Sequence, residues 1–363
     1  MDSIKYLYID DLIAQATIIA KSLTTNKLKI VTEEPISNGD IHKKLKSENF
    51  DGVILDQRLI ELGNDTRGTS IAQYLRSVSS EQHSDLKSLP IVLYSASDFK
   101  KDFYKEPSGY DLFDCIYFKE DVDLSVLTHE LIALVEGYRI INMTTKLHEI
   151  LKIDETDLLK IDYRLVDELK SRLDKNVEHN FALYLKNQII DRNGVLIDEN
   201  ILAARLGVDI QQSGESWTNL KNDLIDFKYQ GIFFDAWERW WMFKLEEWWE
   251  KEINNGKYLS ELTAIERVDL INKKYGFDLI PAKKTEKSSS SEFWTVCYAT
   301  KKPIDVVDGI RIKQEQAQPW QDDIYICIDE LIKPTKQDLW IDVHTSDKKR
   351  AKEIRDKNIK KKI

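Results

Sequence analysis

KYLYIDD at residues 5–11 runs an apolar stretch into a pair of acids, and VILD at 53–56, IVLYS at 91–95 and CIYFK at 115–119 repeat the arrangement. The runs, 5–9, 53–55, 91–94 and 115–118, are too short for helices and are separated by helix-length segments. They read as parallel strands of an α/β sheet buried on both faces. In that architecture reactive groups collect outside the carboxyl ends of the strands. The residues that stand there are Asp10, Asp11, Asp56, Ser95 and Lys119.

Those residue types share one chemistry. Mg²⁺ prefers oxygen ligands and keeps several waters, so two or three carboxylates are a natural protein contribution. A carboxylate can attack a phosphoryl group and form an aspartyl phosphate. A metal and a lysine spread charge off the transferring oxygens while a hydroxyl donates to one of them. An Asp after a strand is commonly a turn or cap residue; order, spacing and strand-end placement together separate this set from that ordinary use.

On YIDD (8–11), VILD (53–56), YSA (94–96) and FK (118–119), the first ~140 residues resemble the receiver domain of bacterial two-component response regulators. The resemblance implies a doubly wound, flavodoxin-like sheet of five parallel strands. It also implies Asp10 and Asp11 as an acidic Mg²⁺ pair, Asp56 as phosphoacceptor and third carboxylate, and the carbonyl of Arg58 as a further ligand. Ser95 becomes the switch hydroxyl and Lys119 the phosphate-contacting lysine. A sensor histidine kinase is the implied donor, and no catalysis is expected beyond Mg²⁺-dependent self-phosphorylation and dephosphorylation at Asp56.

The pattern departs from the family at several points. Glu120 and Ile60 stand where prolines are usual, and Ile116 takes a position commonly aromatic. The segment from Asp56 to Gly68 is long and carries Arg58, Glu61, Asp65 and Arg67. None of these removes a group needed for phosphoryl transfer; they fall on positions that pass the signal onward. The reading requires a nucleophile at position 56 that faces solvent.

Helical spacing is expected over 12–23, 69–78 and 122–140, with a polar loop at 79–90. The motif THEL at 128–131 reads as a solvated helix face rather than a phosphohistidine box. From residue 141 the character changes, giving a receiver at 1–140 and a mostly helical α+β domain at 141–363. LAARLGV at 202–208 resembles the core of a helix-turn-helix, but the following 216–225 segment sets Lys221 against Glu215, Asp223 and Asp226, poor electrostatics for a phosphate backbone.

The stretch 237–250, WERWWMFKLEEWWE, carries five of the nine tryptophans. As a helix its apolar face spans about 200°, against the little over 100° of an ordinary surface helix. A central core helix is the plain reading, with a homo- or hetero-oligomer contact as the alternative. KKTEKSSSS at 283–291 reads as a flexible linker, followed by strand-like stretches at 292–300, 306–312 and 324–331. The tail 347–363 reads as a solvated, frayed basic helix.

A net charge of −10 argues against a dedicated polyanion binder. Cys115, Cys297 and Cys327 are widely spaced, with neither CxxC nor a disulfide framework, which points to a reducing compartment. The chain opens without a signal-peptide pattern and has no membrane-length apolar run, so a cytoplasmic protein is expected. The combined expectation is a phosphoacceptor in a phosphorelay, acting as a buffer or sink that competes with a second receiver for one kinase. Some such sinks serve bacterial anti-phage relays. The alternatives are a DNA-binding response regulator and a pseudo-receiver scaffold that is never phosphorylated.

Overall fold

The apolar runs form strands because β-branched and aromatic residues sit well on a pleated surface that is covered on both sides. In the computed structural model, which describes residues 3–61, 64–81, 84–96, 107–175, 177–253, 256–333 and 342–360, they are β1 (Ile4–Ile9), β2 (Leu28–Glu33) and β3 (Gly52–Leu55), then a hairpin of β4 (Arg58–Glu61) and β5 (Asn64–Arg67), then β6 (Ile91–Ser95) and β7 (Cys115–Phe118). Five of them make one sheet of order β2-β1-β3-β6-β7, with every neighbouring pair parallel. That order is the doubly wound arrangement of flavodoxin and CheY.

Leu7, Ile9, Val53, Leu55, Ile91 and Leu93 alternate onto one face and join a core with Ile41 and Leu45 of the helix Asn38–Ser47 and Ile71 and Leu75 of the helix Gly68–Ser79. Truncating such a buried leucine to alanine costs about 2–5 kcal/mol. On the intervening positions Tyr6, Tyr8, Ile54, Val92 and Tyr94 are also buried, and the Tyr6 hydroxyl donates to the carbonyl of Leu131 on the Leu124–Ile141 helix (2.9 Å). β2, whose LKIVTE mixes charge with apolar residues, is the strand no apolar run announces.

The long segment after Asp56 is built rather than loose. β4 and β5 pair antiparallel, with Leu59 opposite Thr66, and Leu59 joins the core. The hairpin closes where the Gly68 N–H donates to the Gln57 carbonyl (3.0 Å). A Cβ on Gly68 would lie 2.2 Å from the Asp56 carbonyl oxygen, so only glycine fits there.

The chain divides into two compact units. The first takes in the residues up to 159 with 163–187 and 230–237, so the expected boundary at 140 falls inside it. The Glu178–Leu185 helix belongs to this unit and buries His179, Phe181 and Ala182. The second holds 160–162, 188–229 and the residues from 238 onward. It is the expected helix-rich α+β body: the helices Glu199–Leu206, Ile210–Asp223, Met242–Trp248 and Ala264–Tyr275 accompany several two-stranded sheets.

Three expectations for this second unit are corrected. The tryptophan stretch is not one helix over 237–250. Trp240–Trp241 is a strand paired antiparallel with Leu196–Ile197, and the helix runs only Met242–Trp248 before widening into a π turn at Trp249–Ile253. A strand sends successive side chains to opposite faces, so both indoles are buried at 1% exposure without a partner chain. Trp240, Trp248 and Trp249 are buried in one core, in line with the plain core reading of the stretch. The serine run at 283–291 is not a free linker: Asp308 accepts from the N–H (2.7 Å) and hydroxyl (2.8 Å) of Ser289, and Asp305 accepts from the Ser290 hydroxyl. The basic tail forms the Lys348–Lys360 helix, and it is anchored: Ala351 is buried and Arg350 donates to the carbonyls of Gly309 (3.0 Å) and Val307.

Candidate functional site

Sheet register builds the site. Ile9 is paired with Leu55, so Asp10 and Asp56, each the next residue, emerge side by side at the carboxyl edge. Ser95 is paired with Phe118, which places Lys119 just beyond it. The Asp10 N–H donates to the Glu33 carbonyl (3.2 Å), the Asp56 N–H to the Ile9 carbonyl (3.1 Å) and the Lys119 N–H to the Ser95 carbonyl (2.8 Å). These bonds continue the sheet through the reactive positions and fix their backbones.

The side chains meet on the lysine. Lys119 Nζ lies 2.9 Å from Asp10 Oδ2 and 3.1 Å from Asp56 Oδ1. Asp10 also accepts from the Leu12 N–H on Oδ1 (2.8 Å) and from the Tyr8 hydroxyl on Oδ2 (2.6 Å). Asp56 Oδ2 accepts from the Arg58 N–H (2.9 Å). Three expected residues thus converge, Arg58 contributes its amide, and Ser95 lies buried at the same edge. Asp11 is half-buried and stands outside the ion-paired group.

Asp56 does not face open solvent as the sequence reading required: it is 6% exposed, and Asp10 and Ser95 are each 1% exposed. Burial pushes the Asp56 carboxyl above the usual carboxylate range, against the pull of the Lys119 charge and the Arg58 amide. Burial works against the Lys119 ammonium too, but the hydrogen bond to Asp10 and the charge of Asp56 outweigh it and hold its pKa above the usual value. Desolvation therefore opposes both partners of one ion pair.

Among the described residues ten buried side-chain atoms have no hydrogen bond, on Trp240, Trp241 and Arg267 for example, and two of the ten, Asp56 Oδ1 and the Ser95 hydroxyl oxygen, lie at this edge. The Lys119 contact to Asp56 Oδ1 is close in distance but misaligned as a hydrogen bond. A buried polar atom with no partner costs roughly 1–3 kcal/mol. This pair lies at the edge where phosphoryl chemistry was expected.

Among the described residues no three His, Cys, Asp or Glu side chains are gathered closely enough to cage a metal ion. The donor set nevertheless fits a hard cation in kind: Asp10 and Asp56 are carboxylates, Asp11 is the next residue, and Asp56 Oδ1 accepts no hydrogen bond. Lys119 bridges Asp10 and Asp56 in this arrangement.

Sequence reasoning missed Tyr8 and Gly68. Tyr8 precedes Asp10 by two on a strand, so the period of two puts it on the same face. That signal was readable. The contact of Gly68 with the Asp56 carbonyl depends on the hairpin and was not.

No protein-family model matches the chain, and no curated protein matches it. Solved structures do. The CheY-like receiver domain of a response regulator from Methylobacillus flagellatus is 22% identical, covering 35% of this chain and 93% of that one, with a TM-score of 0.27. The phosphorylated cyanobacterial phytochrome response regulator RcpA is 21% identical over 40% of this chain and 97% of its own, at a TM-score of 0.25. A co-crystal of the Saccharomyces cerevisiae histidine phosphotransfer protein Ypd1 with the receiver domain of Ssk1 gives 18% identity over 36% and 88%, at 0.28. The N-terminal sheet has the doubly wound, flavodoxin-like strand order on its own geometry. No helix among the described residues is long and apolar enough to cross a membrane.

Proposed function

We propose that this chain is a response-regulator-like phosphoacceptor that takes a phosphoryl group from a phosphohistidine onto Asp56. The carrying observation is the pair of buried, unpartnered oxygens, Asp56 Oδ1 and Ser95 Oγ, beside the Lys119 ammonium. Asp56 Oδ1 attacks phosphorus, the P–N bond of the donor breaks, and its electron pair returns to the imidazole nitrogen. Lys119 stays protonated and moves its charge onto a phosphoryl oxygen, while the Ser95 hydroxyl donates to another. Asp10, Asp11, Asp56 and the Arg58 carbonyl would hold Mg²⁺, which would supply further positive charge to those oxygens. The Tyr8 hydroxyl and the Leu12 amide keep Asp10 in place. Because Asp56 is almost covered, a donor reaches it only as that edge of the sheet opens.

The donor in this reading is a sensor histidine kinase in the cytoplasm. Altered residues at Ile60, Ile116 and Glu120 favour a buffer or sink that competes with a second receiver, in a relay such as those of bacterial anti-phage defence. Burial of Asp56 favours the rival in which the receiver is a scaffold that never carries phosphate. The DNA-binding alternative loses its cation, since Lys221 is engaged by Glu199 (2.7 Å) and Glu238 (3.8 Å). Incubation with acetyl phosphate and Mg²⁺ followed by intact-mass measurement separates the first two. A gain of one phosphoryl group by the wild type and none by Asp56→Asn supports the acceptor; identical unmodified masses for both establish the scaffold.

A further inference from the structure

Three cysteines are far apart in sequence, yet the fold of the second unit brings two of them together. Cys297 follows the strand Thr295–Val296 and bridges in parallel to Tyr325, while Cys327 ends the strand Tyr325–Cys327. The Cys327 N–H donates to Cys297 Sγ (3.3 Å), and both thiols are buried in one small core. Thr300 lies three residues beyond Cys297, in the turn that follows it. That turn is closed by the Lys301 N–H on the Cys297 carbonyl and by the Cys297 N–H on the Lys302 carbonyl, each 2.8 Å. Cys297 is 0% exposed and Cys327 4%, and the chain neighbours Tyr298 and Ala299 are exposed.

A sulfur that accepts a backbone N–H is favoured as thiolate, which is the nucleophilic form. The hydrogen bonds from Cys327, with those from Thr300, hold the Cys297 thiol below its ordinary pKa in spite of burial. The same contact, seen from the other side, pushes the Cys327 thiol up, and burial adds to it. The backbone N–H on the Cys297 sulfur makes the pair asymmetric. Cys115 lies in β7 of the first unit.

We propose that Cys297 and Cys327 are a redox pair that a hydroperoxide closes into a disulfide, Cys297 attacking and Cys327 resolving. The Cys297 sulfur attacks one oxygen of hydrogen peroxide; the S–O bond forms, the O–O bond breaks, and the departing hydroxide takes a proton to become water. The Cys327 sulfur then displaces hydroxide from the sulfenic acid, forming the S–S bond, and its proton leaves with that hydroxide as a second water. The two thiols are oxidised by two electrons and the peroxide is reduced by two. The closed bond ties the Thr295–Val296 and Tyr325–Cys327 strands across 30 residues of chain.

The test treats the reduced full-length chain with hydrogen peroxide, denatures it, alkylates the remaining thiols and maps the peptides. The expected result is a Cys297–Cys327 disulfide with Cys115 alone alkylated, and Cys297 reacting about tenfold faster than Cys115. In Cys327→Ser the reaction stops at a sulfenic acid on Cys297, trapped by dimedone, and Cys297→Ser gives neither product. Should the serine variants fail to fold, the wild-type peptide map and Cys327→Ala decide the matter. Alkylation of all three thiols after peroxide, or a disulfide through Cys115 in equal yield, overturns the proposal. So does a metal retained in the native mass that must be chelated before the thiols react.

Discussion

The two ends of the parallel sheet each bury a carboxylate against a cation, and they are finished differently. At the amino end Asp114 precedes β7 and every oxygen is claimed. Oδ2 accepts from the Ile91 N–H and from Arg76 (both 2.8 Å), Oδ1 accepts from the Tyr138 hydroxyl (2.7 Å), and His179 Nδ1 stands 3.7 Å away. Arg76 spends its other nitrogens on the carbonyls of Leu112 (3.1 Å) and Leu89 (2.7 Å). At the carboxyl end Asp56 Oδ1 and Ser95 Oγ go without. A closed network holds the sheet to the helix Leu124–Ile141, and an open one keeps capacity for something the fold does not supply. Their pKa directions agree: Asp114 is held well below the usual range by Arg76, His179 and Tyr138 although burial pushes the other way, whereas Asp56 is left above it.

That contrast can be broken at either end. The largest effect is at the acceptor: Asp56→Asn abolishes phosphoryl incorporation by intact mass, while its thermal midpoint holds or rises, because a carboxylate with a raised pKa loses an unfavourable charge. At the other end Asp114→Ala leaves Arg76 buried and unpaired and destabilises by about 3–5 kcal/mol in urea unfolding, with the labelling reaction intact. The lowered pKa of Asp114 also sets a pH window. Its stabilisation is complete above the unfolded value near 3.9 and is lost as pH falls from there through the folded value. Asp114→Asn should flatten the stability profile below about pH 4. Lys119→Met should slow labelling by acetyl phosphate by about 10²–10³-fold, the loss seen when one positioned donor is removed. Gly68→Ala pushes a methyl into the Asp56 carbonyl and should destabilise by about 1–3 kcal/mol. The smallest change, Tyr8→Phe, removes one bond to Asp10 and should lower stability by about 0.5–1.5 kcal/mol.

Strand ends at Asp10, Asp56, Ser95 and Lys119 were legible because a doubly buried strand is a short apolar run and its terminus is abrupt. Convergence of Asp10, Asp56 and Lys119 follows from that alone, since parallel register lines up the ends. Burial of Asp56 was not legible: it depends on what lies over the edge, which a strand pattern does not encode. The tryptophan stretch misled for a related reason. Helical periodicity placed its indoles on one broad face, yet a two-residue strand at Trp240–Trp241 buries them on opposite faces, and a run that is apolar throughout fits either period. The Asp114 network left no trace at all, because Arg76, Tyr138 and His179 come from three helices distant in sequence.

The hairpin between Gln57 and Gly68 has an architectural consequence. Its two feet are pinned, one by the hydrogen bond from Gly68 to Gln57 and the other by Leu59 in the core. A graft or extension at its turn should therefore leave the backbone of position 56 undisturbed. Its length and sequence can change while the pinned feet, and with them position 56, stay where they are.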